Sequence, residues 1–192
     1  MSVAGVLLAA GAGTRFGGRK LLHPLANGIP IGVLALRSLR LALPRVVCVV
    51  RPGDDELREL FLREHADVIE CKDADLGMGH SLAAGVRTQV DASGWVIALG
   101  DMPRIRTETI AALAQALEQG FDLVVPVFAG QRGHPVAFGP RFREHLLALS
   151  GDRGARAILT AHAPVLRELK VDDPGVIQDV DTKADAARLA EV

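Results

Sequence analysis

Residues 3–22, VAGVLLAAGAGTRFGGRKLL, constrain this chain more than any other stretch. Val3 to Ala10 is an uncharged apolar run of the kind that forms a strand buried on both faces, and it breaks directly into a loop with glycines at 11, 13, 17 and 18. The same loop carries Arg15, Arg19 and Lys20. Glycine lets backbone amides approach an anion with no Cβ in the way, and Arg and Lys add the charge that amides lack. A strand followed by such a loop is a phosphate site by composition. Two common phosphate loops do not fit it. The pattern G-x-x-x-x-G-K-[ST] runs from Gly13 to Gly18 but meets Arg19 in place of its lysine and Leu21 in place of its hydroxyl. The dinucleotide pattern G-x-G-x-x-G starts at Gly11 and Gly13, meets Phe16, and finds no acid for a ribose before Asp54.

Beyond the loop, strand and helix patterns alternate. Pro30 opens a leucine-rich helix to about Leu43, Val46–Val50 is a β-branched strand, and Pro52-Gly53-Asp54 breaks into a charged helix to about His65. A short strand follows at Val68–Cys71, a helix beyond Leu76–Gly85, a strand at Trp95–Leu99 and an amphipathic helix at Thr107–Gln119. Strands at Phe121–Phe128 and Val136–Phe138 and a helix from Gly151 to about Ala161 complete the pattern, before a last helix ending near Glu191. Alternation of this kind predicts one α/β domain over residues 1–192, with a mostly parallel sheet between helical layers.

Charge is distributed unevenly. Seven of the 22 Arg and Lys residues fall in residues 1–53, where there is no Asp or Glu, so all 23 acids lie beyond the phosphate loop. With no Tyr, one Trp and six Phe, the chain is poor in base-stacking platforms. A small polyanionic ligand is therefore expected in place of nucleic acid. No uncharged apolar run reaches 18 residues and no leader pattern precedes the first strand, so neither membrane nor export is expected and the cytoplasm is the default location. Cys48 and Cys71 read as buried reduced thiols, with no histidine at zinc-ligand spacing.

Several further segments carry chemistry. Leu76-Gly-Met-Gly79-His80-Ser81 is a glycine-flanked loop opening a helix, with Ser81 available as cap. Gly100-Asp101-Met102-Pro103 places a carboxylate at the end of a central strand, where open α/β sheets bind ligands and where Mg²⁺ accepts one or two carboxylates. Asp179 and Asp181 share a face if their segment is a strand, and two carboxylates on one face call for a cation between them; alternatively, Asp181 caps the last helix. Gly133 is expected in a left-handed turn before His134-Pro135, and Arg153 and Arg156 sit together at a helix start.

Gly11-Ala-Gly13-Thr-Arg15-Phe-Gly-Gly-Arg-Lys20 resembles the nucleotidyltransferase signature G-x-G-x-R-[FM]-G-x-x-K. Leu8-Ala9-Ala10-Gly11 and Lys20-Leu-Leu resemble the molybdenum cofactor cytidylyltransferase family in particular. The resemblance implies a three-layer αβα Rossmann-like nucleotidyltransferase fold. It implies transfer of CMP from CTP to the phosphate of molybdenum-bearing molybdopterin, and it extends through G-D-M-P, G-H-P, G-D-x-G-A-R and D-V-D-T. By it, Leu8, Ala9, Ala10, Gly11, Gly13, Arg15, Lys20, Gly79, His80, Ser81 and Gly100 bind nucleotide, with Arg15, Lys20 and Asp101 catalytic. His134, Arg153 and Arg156 face the acceptor, and Mg²⁺ or Mn²⁺ sits on Asp101 with Asp179 or Asp181. A molybdenum hydroxylase or its chaperone is the implied transient partner. A GTP-dependent or sugar-phosphate transferase and a noncatalytic cofactor carrier are the alternatives.

Overall fold

The computed structural model of the chain describes residues 2–152 and 154–190. Its centre is an eight-stranded sheet. The first strand, β1 (Val3–Leu8), has every residue buried. Helix α1 (Ile31–Ala42) returns the chain to β2 (Arg45–Val50), and α2 (Asp55–Arg63) leads to β3 (Asp67–Glu70). After α3 (Met78–Thr88), β4 (Gly94–Leu99) enters on the other side of β1, in parallel with it from Val3–Gly94 to Leu8–Leu99. Because the connections leave β1 in opposite directions, a topological switch point lies between β1 and β4, and a crevice opens beyond their carboxyl ends.

The second half is mixed. After α4 (Thr107–Glu118), β5 (Leu123–Phe128) turns into the two-residue β6 (Gln131–Arg132), and β7 (Val136–Phe138) inserts antiparallel between β4 and β5. Short helices α5 (Arg143–Leu147) and α6 (Arg156–Ala161) precede β8 (Leu166–Lys170), which runs parallel to β5. Helix α7 (Lys183–Ala190) closes the described chain.

Alternation along β1 builds two cores. Val3 and Leu7 face a layer containing Leu36, Leu39, Phe61 and Leu113, while Ala4, Val6 and Leu8 face Leu82, Val86 and Leu146. Residues one apart on a strand point to opposite faces, so an unbroken apolar run is what a doubly covered strand requires. A third cluster joins Phe16, Ile31, Val180 and Ala186. Through it the glycine-rich loop is fastened to the C-terminal segment, although the two are far apart in sequence.

Several expectations change. The segment around Asp179 and Asp181 is not a strand; a 3-10 turn at Pro174–Ile177 leads into extended chain, and the Val180 amide donates to the Asp101 carbonyl at 2.9 Å. Ser81 does not cap α3, which starts three residues earlier at Met78. Asp181 does not cap α7. Thr182 and Asp185 do so reciprocally, the Thr182 amide donating to the Asp185 carboxylate at 2.7 Å and the Asp185 amide to the Thr182 hydroxyl at 3.2 Å. Gly133 is not left-handed; it is glycine because a Cβ there would lie 2.1 Å from the Val176 carbonyl oxygen. The strand expected from Phe121 begins at Leu123, the helix expected from Gly151 begins at Arg156, and β8 had no sequence counterpart. Among the described residues, no helix is long and apolar enough to cross a membrane.

Candidate active site

A cleft of about 380 Å³ opens at the switch point. Leu8, Ala9, Ala10, Gly11 and Gly13 line one wall, with Lys20, Ser81 and Asp101 around them. The backbone amides of Ala10 through Gly13 make no hydrogen bond to the protein among the described residues, whereas those of Phe16 and Gly18 are taken by the Gly13 carbonyl, each at 3.0 Å. The anion-receptive part of the loop is thus its first turn, nearest the end of β1. Its second half folds on itself, with Gly17, Gly18 and Arg19 all at positive φ.

At the mouth of the cleft, one cation holds two carboxylates. The Lys20 ammonium donates to Asp101 at 2.7 Å and to Asp181 at 3.4 Å, and Arg15 reaches Asp181 from the solvent side. Lys20 is 13% exposed, Asp101 24% and Asp181 30%, so water screens the group only in part. Four supports converge on it. The end of β4 presents Asp101, and Phe16 in its apolar cluster anchors the loop that carries Arg15 and Lys20. The bond from Val180 to Asp101 fixes the C-terminal segment, and Asp185 accepts from the Asp181 amide at 3.2 Å.

That segment has a further anchor that the sequence reading missed. Asp173 is 2% exposed and accepts from the Thr109 hydroxyl at 2.7 Å, the Arg106 amide at 2.9 Å and the Gly175 amide at 3.0 Å. Three donors on one buried carboxylate, two of them at the start of α4, tie the segment to that helix. Asp75, Asp152, Arg51 and Met78 were also missed as cleft-lining residues. Arg51 had a usable signal, since it follows the β2 run directly. The Thr-x-x-Asp spacing of a capping box could likewise have identified Asp185.

Other expected residues take different places. His80 faces a separate hollow with Lys72, Asp73 and Arg87. Gly79 is glycine because a Cβ would meet the Ser150 backbone at 2.8 Å, and its amide donates to the Gly151 carbonyl at 2.8 Å. Gly100 lies against β1, donating to the Leu8 carbonyl at 2.9 Å. His134 has a buried Nδ1 with no hydrogen-bond partner among the described residues, and burial holds its imidazole below the ordinary value against the opposite pull of Asp101 and Asp179. Asp179 is exposed and Arg156 is exposed at the start of α6; Arg153 lies outside the described residues.

The donor chemistry fits a hard divalent cation. Asp101 and Asp181 offer carboxylate oxygens and already share one cation, Lys20. Among the described residues no group of three or more His, Cys, Asp and Glu side chains could hold a metal ion. A pair of carboxylates is the number that a hard divalent cation takes from protein when water and other oxygen ligands complete its coordination.

Taken together, a mostly parallel open sheet, a cationic glycine loop after its first strand and an aspartate after its fourth define a nucleotidyltransferase-class site. The profile of the MobA-like NTP transferase domain matches residues 5–165, and the chain belongs to that family. It is 33% identical over 189 residues to the purine catabolism protein PucB of Bacillus subtilis, covering 93% of this chain and 91% of PucB. Similarity to the bifunctional protein GlmU of Geobacter sulfurreducens is 35% over 141 residues, 72% of this chain but 29% of GlmU. Among solved structures, Rv0371c of Mycobacterium tuberculosis superimposes with a TM-score of 0.87 at 28% identity, covering 100% of this chain and 98% of that one. Rv0371c has also been crystallised in complex with manganese.

Proposed function

We propose that this protein transfers CMP from CTP to the phosphate of molybdenum-bearing molybdopterin, releasing pyrophosphate and forming the cytosine dinucleotide. The observation that carries the reading is the Asp101–Lys20–Asp181 arrangement at the mouth of a cleft walled by Leu8-Ala9-Ala10-Gly11. An acceptor phosphate is already a nucleophile. Its oxygen attacks the α-phosphorus of CTP, the bond from that phosphorus to the bridging oxygen breaks, and pyrophosphate leaves with the electron pair. No general base is needed, and the chain's work is alignment and charge stabilisation.

The free amides of Ala10 through Gly13 are assigned to the phosphate chain of CTP, with Lys20 and Arg15 meeting the charge that grows on the leaving pyrophosphate. Mg²⁺ or Mn²⁺ would be held by Asp101 and Asp181 and would supply neutralisation of the phosphate charge. Asp181 is preferred to Asp179 because it shares Lys20 with Asp101. Ala10, 6% exposed, adds a methyl group to the cleft wall, which supports the smaller pyrimidine base. His134 stays assigned to the acceptor side, since its buried imidazole feels the charges of Asp101 and Asp179, while His80 leaves the nucleotide site. The dinucleotide's recipient, a molybdenum hydroxylase or its chaperone, would be a transient partner.

Mass analysis of the pterin after incubation with CTP and Mg²⁺ tests the reading. Gain of one CMP is expected. Bound but unaltered cofactor would instead identify a carrier, and CMP gained by another acceptor would redirect the substrate assignment.

A further inference from the structure

Lys20 occupies the position that a divalent cation would need. Its ammonium lies 2.7 Å from Asp101 and 3.4 Å from Asp181, the two carboxylates assigned above to the metal. Adding a divalent cation to that pair without moving the lysine would set three positive charges, with Arg15 a fourth on the solvent side of Asp181, against two negative ones in a partly desolvated place. The lysine also has somewhere else to go. It lines both the main cleft and an adjoining hollow of about 210 Å³ that carries Arg19 and Arg51. Its backbone is held in a 3-10 turn at Lys20–Leu22, and its Cβ packs so near Gly13 that a Cβ added there would lie 3.2 Å from it, so the flexible four-carbon stem is the part free to swing.

We propose that Lys20 is an exchangeable placeholder: its ammonium holds Asp101 and Asp181 together before substrate arrives, and it passes to the triphosphate as the divalent cation takes the carboxylates. This rests on the reading that Asp101 and Asp181 are the metal ligands. The exchange makes metal and nucleotide binding mutually dependent. Metal alone must displace an ammonium that is bonded to both carboxylates, whereas metal arriving with CTP finds the ammonium drawn off by phosphate. Coupling of this kind is reciprocal, so metal strengthens CTP binding by the same factor that CTP strengthens metal binding.

Electron paramagnetic resonance of free Mn²⁺ tests the exchange without requiring turnover. Wild type, Lys20→Gln and Asp101→Asn are titrated with Mn²⁺, with and without CTP, against a protein-free control for Mn²⁺ bound by CTP itself. Lys20→Gln should bind Mn²⁺ about tenfold more tightly than wild type without CTP, the scale set by two partly screened ion pairs, and should lose a similar factor of CTP enhancement. Lys20→Arg keeps the charge and should gain nothing; a tenfold gain there would overturn the proposal and gives a second test should Lys20→Gln not fold. If Lys20→Gln gains nothing while Asp101→Asn loses Mn²⁺, the exchange is wrong and the metal assignment stands. If Asp101→Asn binds Mn²⁺ as wild type does, both fall.

Discussion

Asp101→Asn separates a catalytic carboxylate from a structural one. The substitution keeps size and one acceptor oxygen, so the Lys20 ammonium, 2.7 Å away, retains a hydrogen bond while losing an ionic partner. Because Asp101 and Lys20 are 24% and 13% exposed, solvent screens the pair only in part, but with the hydrogen bond kept the lost charge should cost about 1 kcal/mol. For a chain of this size that lowers Tm by less than about 4 °C. Turnover should respond on another scale. One preorganised electrostatic group facing developing charge is worth roughly 10²- to 10³-fold, or about 2.7–4 kcal/mol. Pyrophosphate release at saturating CTP and acceptor, paired with thermal denaturation, reads both quantities. A kcat within about threefold of wild type in a folded variant would remove Asp101 from the mechanism. A Tm drop of more than about 10 °C would make it a structural residue.

Two further perturbations probe the supports. Asp173→Ala strips three donors of their buried acceptor, which should cost about 3 kcal/mol and lower Tm by roughly 6–12 °C; an unchanged Tm would show that the C-terminal segment does not depend on it. Glu64 accepts two bonds from Arg37, at 2.6 and 2.8 Å, and these hold its carboxyl below the ordinary 4.5. A carboxylate with a lowered native pKa stabilises the fold above its unfolded value and loses that contribution as the pH falls through the native one. Wild type should therefore exceed Glu64→Gln by less than about 1 kcal/mol above pH 4.5, with the gap closing on further acidification. Urea titrations at several pH values would show it, and a gap that widens in acid would reverse the argument.

What could be seen in advance follows physical range. The β1 run, the loop glycines, Arg15, Lys20 and Asp101 carry local signals, because a doubly buried strand must be apolar throughout and a phosphate loop must be open and cationic. The placement of Asp181 depends on contacts across more than 160 residues, with Lys20 at a separation of 161 and Arg15 at 166. No periodicity reports such contacts, and the expected strand there was really extended chain pinned by one bond to Asp101. Strand β8 was hidden because LRELK, at the edge of the sheet and largely exposed, lacks an apolar run. His80 and Gly79 belong to the right loop, yet the helix starts earlier than the cap residue suggested, and that shift rotates His80 toward the other hollow.

The central claim is that this site joins CTP to a phosphate-bearing pterin. Its most direct test is pyrophosphate release by the purified protein with Mg²⁺ and molybdenum-bearing molybdopterin, comparing CTP with GTP and omitting acceptor from parallel reactions. Release that requires the acceptor and strongly favours CTP is the predicted result. Release that favours GTP would contradict the role given to Ala10, and no acceptor-dependent release with either nucleotide would contradict the proposed reaction itself.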